Sequence, residues 1–207
     1  MGEPPPFAEP PDDSREAIMR ATYLALQEYG YAGLSIQRIA DEADLSKSTF
    51  YHHFDDKEDL LFSFLEYILA EFMRLFSLGA GDDPGEQLET FLDLLLDSQL
   101  PPEERGRVPD KEEVLRTYVQ LRAQAAQHDS FREKFTETDR RFREQLTDIV
   151  EAGVEDGTFR EVDPDATAEF LLTLAAGHVM RLSTREDDPA SALRDELDAY
   201  LQQRVYR

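Results

Sequence analysis

Between Ser46 and Lys57 the run SKSTFYHHFDDK gathers hydroxyls, a lysine, a phenol and two imidazoles into a dozen positions. If the run is helical after Ser46, each residue advances by about 100°. Phe50 and Phe54 then point one way, while Ser48, Thr49, Tyr51 and His52 project from the other side. At the start of such a helix the free backbone amides and the positive dipole end around Ser46, Lys47, Ser48 and Thr49 attract a phosphate. Short or planar polar side chains can approach base edges in the major groove, which admits a helix. The chemistry on offer is recognition of DNA. A metal pair at His52-His53 is disfavoured, because adjacent helical positions diverge by the same angle. Two plainer roles stay open: Tyr51 as a packing ring at the surface, and Lys57 as a helix-start partner of Glu58 or Asp56.

The elements that must present this run can be read from apolar spacing. Ile18, Ala21, Thr22, Ala25, Leu26 and Tyr29 share one helical face after Ser14, and Gly30 is expected to end that helix as a C-cap. Ser35 can cap a short second helix buried at Ile36, Ile39, Ala40 and Ala43, and Ser46 a third. Two short helices joined by the turn at Asp44-Leu45 make a helix-turn-helix. A long helix follows from Lys57, with Leu61, Phe64, Leu65, Ile68, Phe72, Leu75 and Phe76 as its stripe, up to a break at Gly79 to Asp83. Pro84 opens the next helix, closed by Pro101-Pro102, and Glu103 to Pro109 reads as an exposed loop. Further helices are expected over about Asp110 to Gln127 and Ser130 to Glu155, with Gly157 ending the latter. Asp163-Pro164 and Asp188-Pro189 are cap-plus-first-turn signals for the last two helices. The fold class is all-α, with about nine helices and no convincing strand.

The segment from Arg15 to Leu61 closely resembles the DNA-binding domain of the TetR family of regulators. The resemblance is carried by Ile18, Ala21, Gly30-Tyr31, Ser35, Ile39-Ala40, Leu45-Ser46-Lys47, Tyr51, Phe54, Lys57, Glu58 and Leu60-Leu61. It implies that Tyr51 and Lys57 contact phosphates, with Ser35 doing so at the start of the second helix. It also implies that Gln37, Lys47, Ser48, Thr49 and His52 face the groove, that His53 sits at its flank, and that Arg38 and Ser46 belong to the same surface. Family members usually have glycine in the turn before the recognition helix. Here Asp44 stands there, a residue that tolerates the left-handed conformation better than most.

Residues 1–13, with five prolines, four acids and no periodicity, read as an acidic, proline-rich arm expected to be disordered; the resemblance makes 14–60 the helix-turn-helix domain and 61–207 a helical regulatory and dimerisation domain. The segment from Phe142 to Leu182 loosely resembles the C-terminal part of one TetR subclass. Phe170, Leu171, Leu174, Val179 and Leu182, with Leu193, Leu197, Tyr200 and Leu201, form the apolar faces of the last two helices, and Ala175, Ala176 and Gly177 allow close approach. The resemblance makes Phe170, Leu174, Gly177, Leu193, Leu197, Tyr200 and Leu201 the expected interface of a homodimer reading a palindromic operator. An effector pocket would draw on Phe72, Phe91, Leu95, Leu115, Tyr118, Val119, Arg122, Phe142, Leu146, Phe170, Thr173 and His178. That lining would suit a hydrophobic or amphipathic small molecule, although apolar residues at helical spacing are more often plain core.

Composition bounds the rest. The chain has 207 residues and no cysteine, so disulfides and thiolate-metal sites are excluded. No apolar run is long enough to span a bilayer and no signal peptide is evident, so a cytoplasmic protein without a membrane partner is expected. No phosphate loop, nucleophile elbow or zinc spacing is seen among the motifs, so no catalytic residue, metal or cofactor is expected. The formal net charge is −23, from 45 acidic and 22 basic residues. Acidity at this level, spread over helical segments, resembles proteins of salt-accumulating halophiles. Residues 14–57 carry five basic and seven acidic residues, a net −2, so the expected reading head is nearly neutral within an anionic chain. The rival reading is a helical dimer that binds a ligand or a protein, with a non-functional DNA head.

Overall fold

A computed structural model describes residues 13–79, 81–96, 111–185 and 190–207. The side chains of Phe72, Leu75, Phe76 and Leu95 lie outside the described residues, as do the arm up to residue 12 and the loop expected at Glu103 to Pro109. Among the described residues the elements are α1 (Ser14–Gly33), α2 (Ile36–Glu42), α3 (Lys47–His53), α4 (Lys57–Gly79), α5 (Pro84–Leu96), α6 (Lys111–Gln124), α7 (Asp129–Asp156), α8 (Pro164–Thr184) and α9 (Ala190–Arg204). The one extended pairing described is an isolated bridge between Phe159 and Tyr206. Two compact units result, one from the described residues of Met1–Glu71 and Leu100–Arg132, the other from those of Phe72–Gln99 and Glu133–Arg207.

In the first unit α1 is the central helix, packed against α2, α3 and α6. The Asp13 side chain caps it by accepting from the Glu16 amide at 2.8 Å. Ile18, Ala21, Thr22, Ala25 and Leu26 are buried as their spacing requires. Met19 and Tyr23 are buried too, because neighbours cover α1 on more than one face; the Tyr23 ring lies 6.4 Å from that of Phe64 in α4. Tyr29, expected on the buried face, is instead exposed at the end of the helix. Gly30 does break the helix, at φ 63 and ψ 177, but one more turn follows to Gly33.

The caps of the helix-turn-helix form as its serines require. Ser35 Oγ accepts from the Arg38 amide at 3.3 Å and Ser46 Oγ from the Thr49 amide at 3.1 Å. Between them Asp44 takes φ 53. The Leu45 amide donates to Ala40 O at 2.9 Å and the Asp44 amide to Asp41 O at 3.2 Å, the paired bonds of a Schellman cap. Of the four expected burial positions in α2, Ile39 and Ala40 are fully buried, while Ile36 and Ala43 are half-buried. Asp56 Oδ1 accepts from the Asp59 amide at 2.9 Å and starts α4, which buries Leu60, Leu61, Phe64 and Leu65. The helix expected to run to Gln127 stops at Gln124. Residues 125–127 wind more tightly there, each amide bonding three residues back, before α7 begins at Asp129.

The second unit is held by one core, in which Leu88, Phe91 and Leu92 of α5 meet Leu146, Ile149 and Val150 of α7, Ala168, Leu171 and Ala175 of α8, and Leu197 and Leu201 of α9. Gly157, at φ 85, ends α7 and turns Phe159 back over Gly153. Asp163 Oδ1 accepts from the Ala166 amide at 3.0 Å, with Pro164 next to it, to start α8. Arg194 of α9 forms ion pairs with Glu89 and Asp93 of α5 and, at 2.8 Å, with Asp198.

Candidate DNA-binding surface

Phe50 and Phe54 are both buried, their centroids 5.7 Å apart, and they fix the rotation of α3. The opposite side of this seven-residue helix is left outward: Lys47, Ser48, Tyr51 and His52 are exposed, Tyr51 to 55%. Phe50 meets the Tyr51 ring edge-on at 5.5 Å, which steadies an otherwise exposed phenol. Thr49 is half-buried, and its hydroxyl lies 2.9 Å from Ser46 Oγ. His53 turns back toward α1, its Nε2 2.7 Å from Ser14 Oγ, and packs beside Phe54. His52 and His53 rings stand edge to face at 5.1 Å. Among the described residues no cluster of three or more metal-ligating side chains is present.

Around α3 sit the other predicted contacts. Ser35 and Gln37 are exposed on α2, and Gln37 Nε2 donates to Asp41 Oδ1 at 2.5 Å. Arg38, expected on the DNA surface, is exposed on α2, and its guanidinium stacks on Tyr29 and donates to Gly33 O. Lys57 Nζ lies 4.6 Å from the centroid of the Tyr31 ring, a cation–π contact not visible from its neighbours in sequence. The Tyr31 phenol has its pKa raised, first by burial and then by the Glu58 carboxylate. Arg15, at the start of α1, has its guanidinium carbon 5.4 Å from the Phe54 centroid, and sequence reasoning did not single it out.

The remaining candidates are distributed over both units. Leu115, Tyr118, Val119 and Arg122 are half-buried in the first, with Arg122 Nη1 donating to Tyr118 Oη at 2.9 Å. In the second, Phe91 and Leu146 are fully buried in the common core, Phe142 packs against it, and His178 is buried. Phe170 and Thr173 are exposed on α8, so neither lines an interior cavity of its own unit. Leu197 and Leu201, expected at a subunit interface, are buried within their own unit because α9 turns that face onto the core. Leu174, Leu193 and Tyr200 are half-buried at the edge of that core, and the Phe170 and Tyr200 centroids lie 4.8 Å apart. Gly177 is exposed, with no atom beyond its chain neighbours and its own helix backbone within 4 Å of where a Cβ would sit, and Met180, absent from the sequence reading, is exposed one turn further on.

A capped helix-turn-helix carrying an exposed polar helix and followed by a larger helical region defines a DNA-binding regulator. The family description of bacterial regulatory proteins of the tetR family matches residues 18–64, and that of the BetI-type transcriptional repressor C-terminal domain matches residues 84–205. A curated relative, the HTH-type transcriptional regulator BetI of Stenotrophomonas maltophilia, is 37% identical over 82 residues, covering 38% of this chain and 42% of that protein. The HTH-type transcriptional repressor KstR2 of Rhodococcus jostii is 25% identical over 178 residues, covering 81% of this chain and 80% of that protein. A TetR transcription regulator from Haloarcula marismortui superposes with a TM-score of 0.81 at 32% identity, covering 93% of this chain and 98% of that one. The chain belongs to the TetR family of transcriptional regulators. It is a DNA-binding transcriptional regulator, from a family whose members act as dimers with small-molecule effectors.

Proposed function

We propose that this chain represses transcription in the cytoplasm as a homodimer, laying the α3 helices of two subunits into successive major grooves of a palindromic operator. In this reading residues 14–60 read DNA, while residues 61–207 dimerise and bind an effector. The observation that carries it is the division of α3, with Phe50 and Phe54 inside and Lys47, Ser48, Tyr51 and His52 outside. Lys47, Ser48, Thr49, His52 and Gln37 meet base edges, and Tyr51, Lys57 and Ser35 meet phosphates. Phe170, Leu174, Gly177, Leu193 and Tyr200 form the partner-facing surface. A hydrophobic or amphipathic small molecule, bound in the regulatory domain, favours a state in which the two heads are wrongly spaced for the operator.

The experiment is footprinting of the gene's own upstream region in high KCl, with the wild type and a Tyr51→Ala, Lys57→Met variant. The double variant should lose protection while remaining a folded dimer. Equal protection by both proteins would sink the DNA reading and favour the rival, a ligand-binding or protein-binding dimer with an idle head.

A further inference from the structure

Gly30 takes φ 63 and ψ 177, so the Tyr31 amide is turned away from the helical ladder of α1. A half-buried backbone N–H needs an acceptor elsewhere. It finds one 89 residues along the chain: the Tyr31 amide donates to Gln120 Oε1 of α6 at 3.0 Å. One turn back on α1, Gln27 Nε2 donates to the buried Thr117 Oγ1 at 3.1 Å. Thr117 and Gln120 are three residues apart and so share a face of α6. The two bonds clasp α6 to the end of α1 where the chain bends toward α2.

Tyr31 carries that clasp onward. Its ring lies under Lys57 Nζ at 4.6 Å and meets Phe131 edge-on at 6.1 Å. A lysine head on four rotatable bonds has many places to go, and a ring beneath it limits them. We propose that Gln120 is a positioning residue for DNA binding, which acts through Tyr31 to hold the Lys57 ammonium where it meets the operator. The inference rests on the reading of Lys57 as a phosphate contact.

The test uses the full-length protein and a DNA fragment that the wild type protects, with anisotropy titrations over a KCl series and melting curves alongside. Lys57→Met should weaken binding and flatten the log–log salt slope by about one. Gln120→Ala should flatten it in the same sense and cost about threefold in affinity, the scale of one exposed cation–π restraint. Gln120→Glu, which keeps an acceptor for the Tyr31 amide, should recover most of the slope. Tyr31→Leu, which keeps the amide bond but removes the ring, should behave as Gln120→Ala. Adding Gln120→Ala to Lys57→Met should change nothing further. Wild-type binding by Gln120→Ala or Tyr31→Leu, losses additive with Lys57→Met, or a lowered melting temperature with an unchanged slope would each overturn the inference alone. A Lys57→Met variant indistinguishable from wild type would overturn the phosphate reading, and this route with it.

Discussion

The guanidinium carbon of Arg38 lies 4.4 Å from the centroid of the Tyr29 ring, and its Nη1 donates to the Gly33 carbonyl. Three residues at the α1–α2 corner are therefore tied by one side chain. Gly33 is required there by close approach, since a Cβ would stand 2.8 Å from Tyr29 Cβ and 3.1 Å from Arg38 Nη1. Arg38→Lys keeps the charge but loses the flat stack and the fork of donors. We expect it to lower stability by about 0.5–1.5 kcal/mol, read by urea unfolding. Unchanged stability would show that the Tyr29 stack and the Gly33 bond contribute nothing net to the fold.

Asp44 occupies the left-handed position of the Schellman cap, φ 53, between the two helices that define the reading head. A non-glycine residue there costs about 1–2 kcal/mol, while glycine loses part of that advantage through its freer unfolded chain. Asp44→Gly should raise stability by about 0.5 kcal/mol, and Asp44→Val should lower it by more than that. A glycine variant that melts earlier than the wild type would show that the aspartate side chain has a compensating role.

Arg194 joins α9 to α5 through Glu89 and Asp93 and pairs with Asp198 on its own helix. Burial opposes its charge, but the carboxylates of Asp93 and Asp198 more than offset this, and its pKa is raised. Arg194→Met would leave three acids facing one another. The side chains are only partly buried, so the expected loss is about 1–2 kcal/mol, shrinking as KCl screens the remaining repulsion. Differential scanning calorimetry at low and high KCl would read both features.

Tyr206 donates its hydroxyl to Glu89 Oε1 at 2.7 Å, and burial, followed by that bond, raises its pKa above the ordinary 10.0. The neutral phenol is favoured in the fold, so its contribution is complete below the unfolded value and is lost as pH rises past it. Chemical denaturation between about pH 9 and 11 should show stability falling with pH, and Tyr206→Phe should reduce that fall. Parallel slopes in the two proteins would assign the alkaline loss to other tyrosines.

A formal net charge of −23 repels itself unless screened. The melting temperature should therefore drop on dilution from molar to millimolar KCl, measured by circular dichroism at constant protein concentration. A melting temperature indifferent to salt would refute the halophilic reading. The head supplies few cations, so operator binding should also depend weakly on salt; a log–log slope near −10, as for strongly phosphate-driven binding, would contradict this.

The sequence by itself determined what is settled within a turn or two of chain. Ser35, Ser46 and Asp163 announce helix starts because a side-chain oxygen reaches an amide three residues on, and all three do so. Phe50 and Phe54 announce the inward side of α3 because helical geometry places them four residues apart on one face. The left-handed turn at Asp44 is implied by the family resemblance, through the glycine usual at that place, and Asp44 accepts it because its short polar side chain tolerates that conformation. Only the tertiary structure decided which partners those local pieces meet. Tyr29 has the spacing of a core residue yet is exposed, and Met19 and Tyr23 lack that spacing yet are buried, because coverage of α1 depends on distant helices. Leu197 and Leu201 turn into their own unit's core, and Gln120 reaches Tyr31 across 89 residues. Such contacts follow from how the whole chain satisfies its buried amides and apolar faces at once, which no local window of residues encodes.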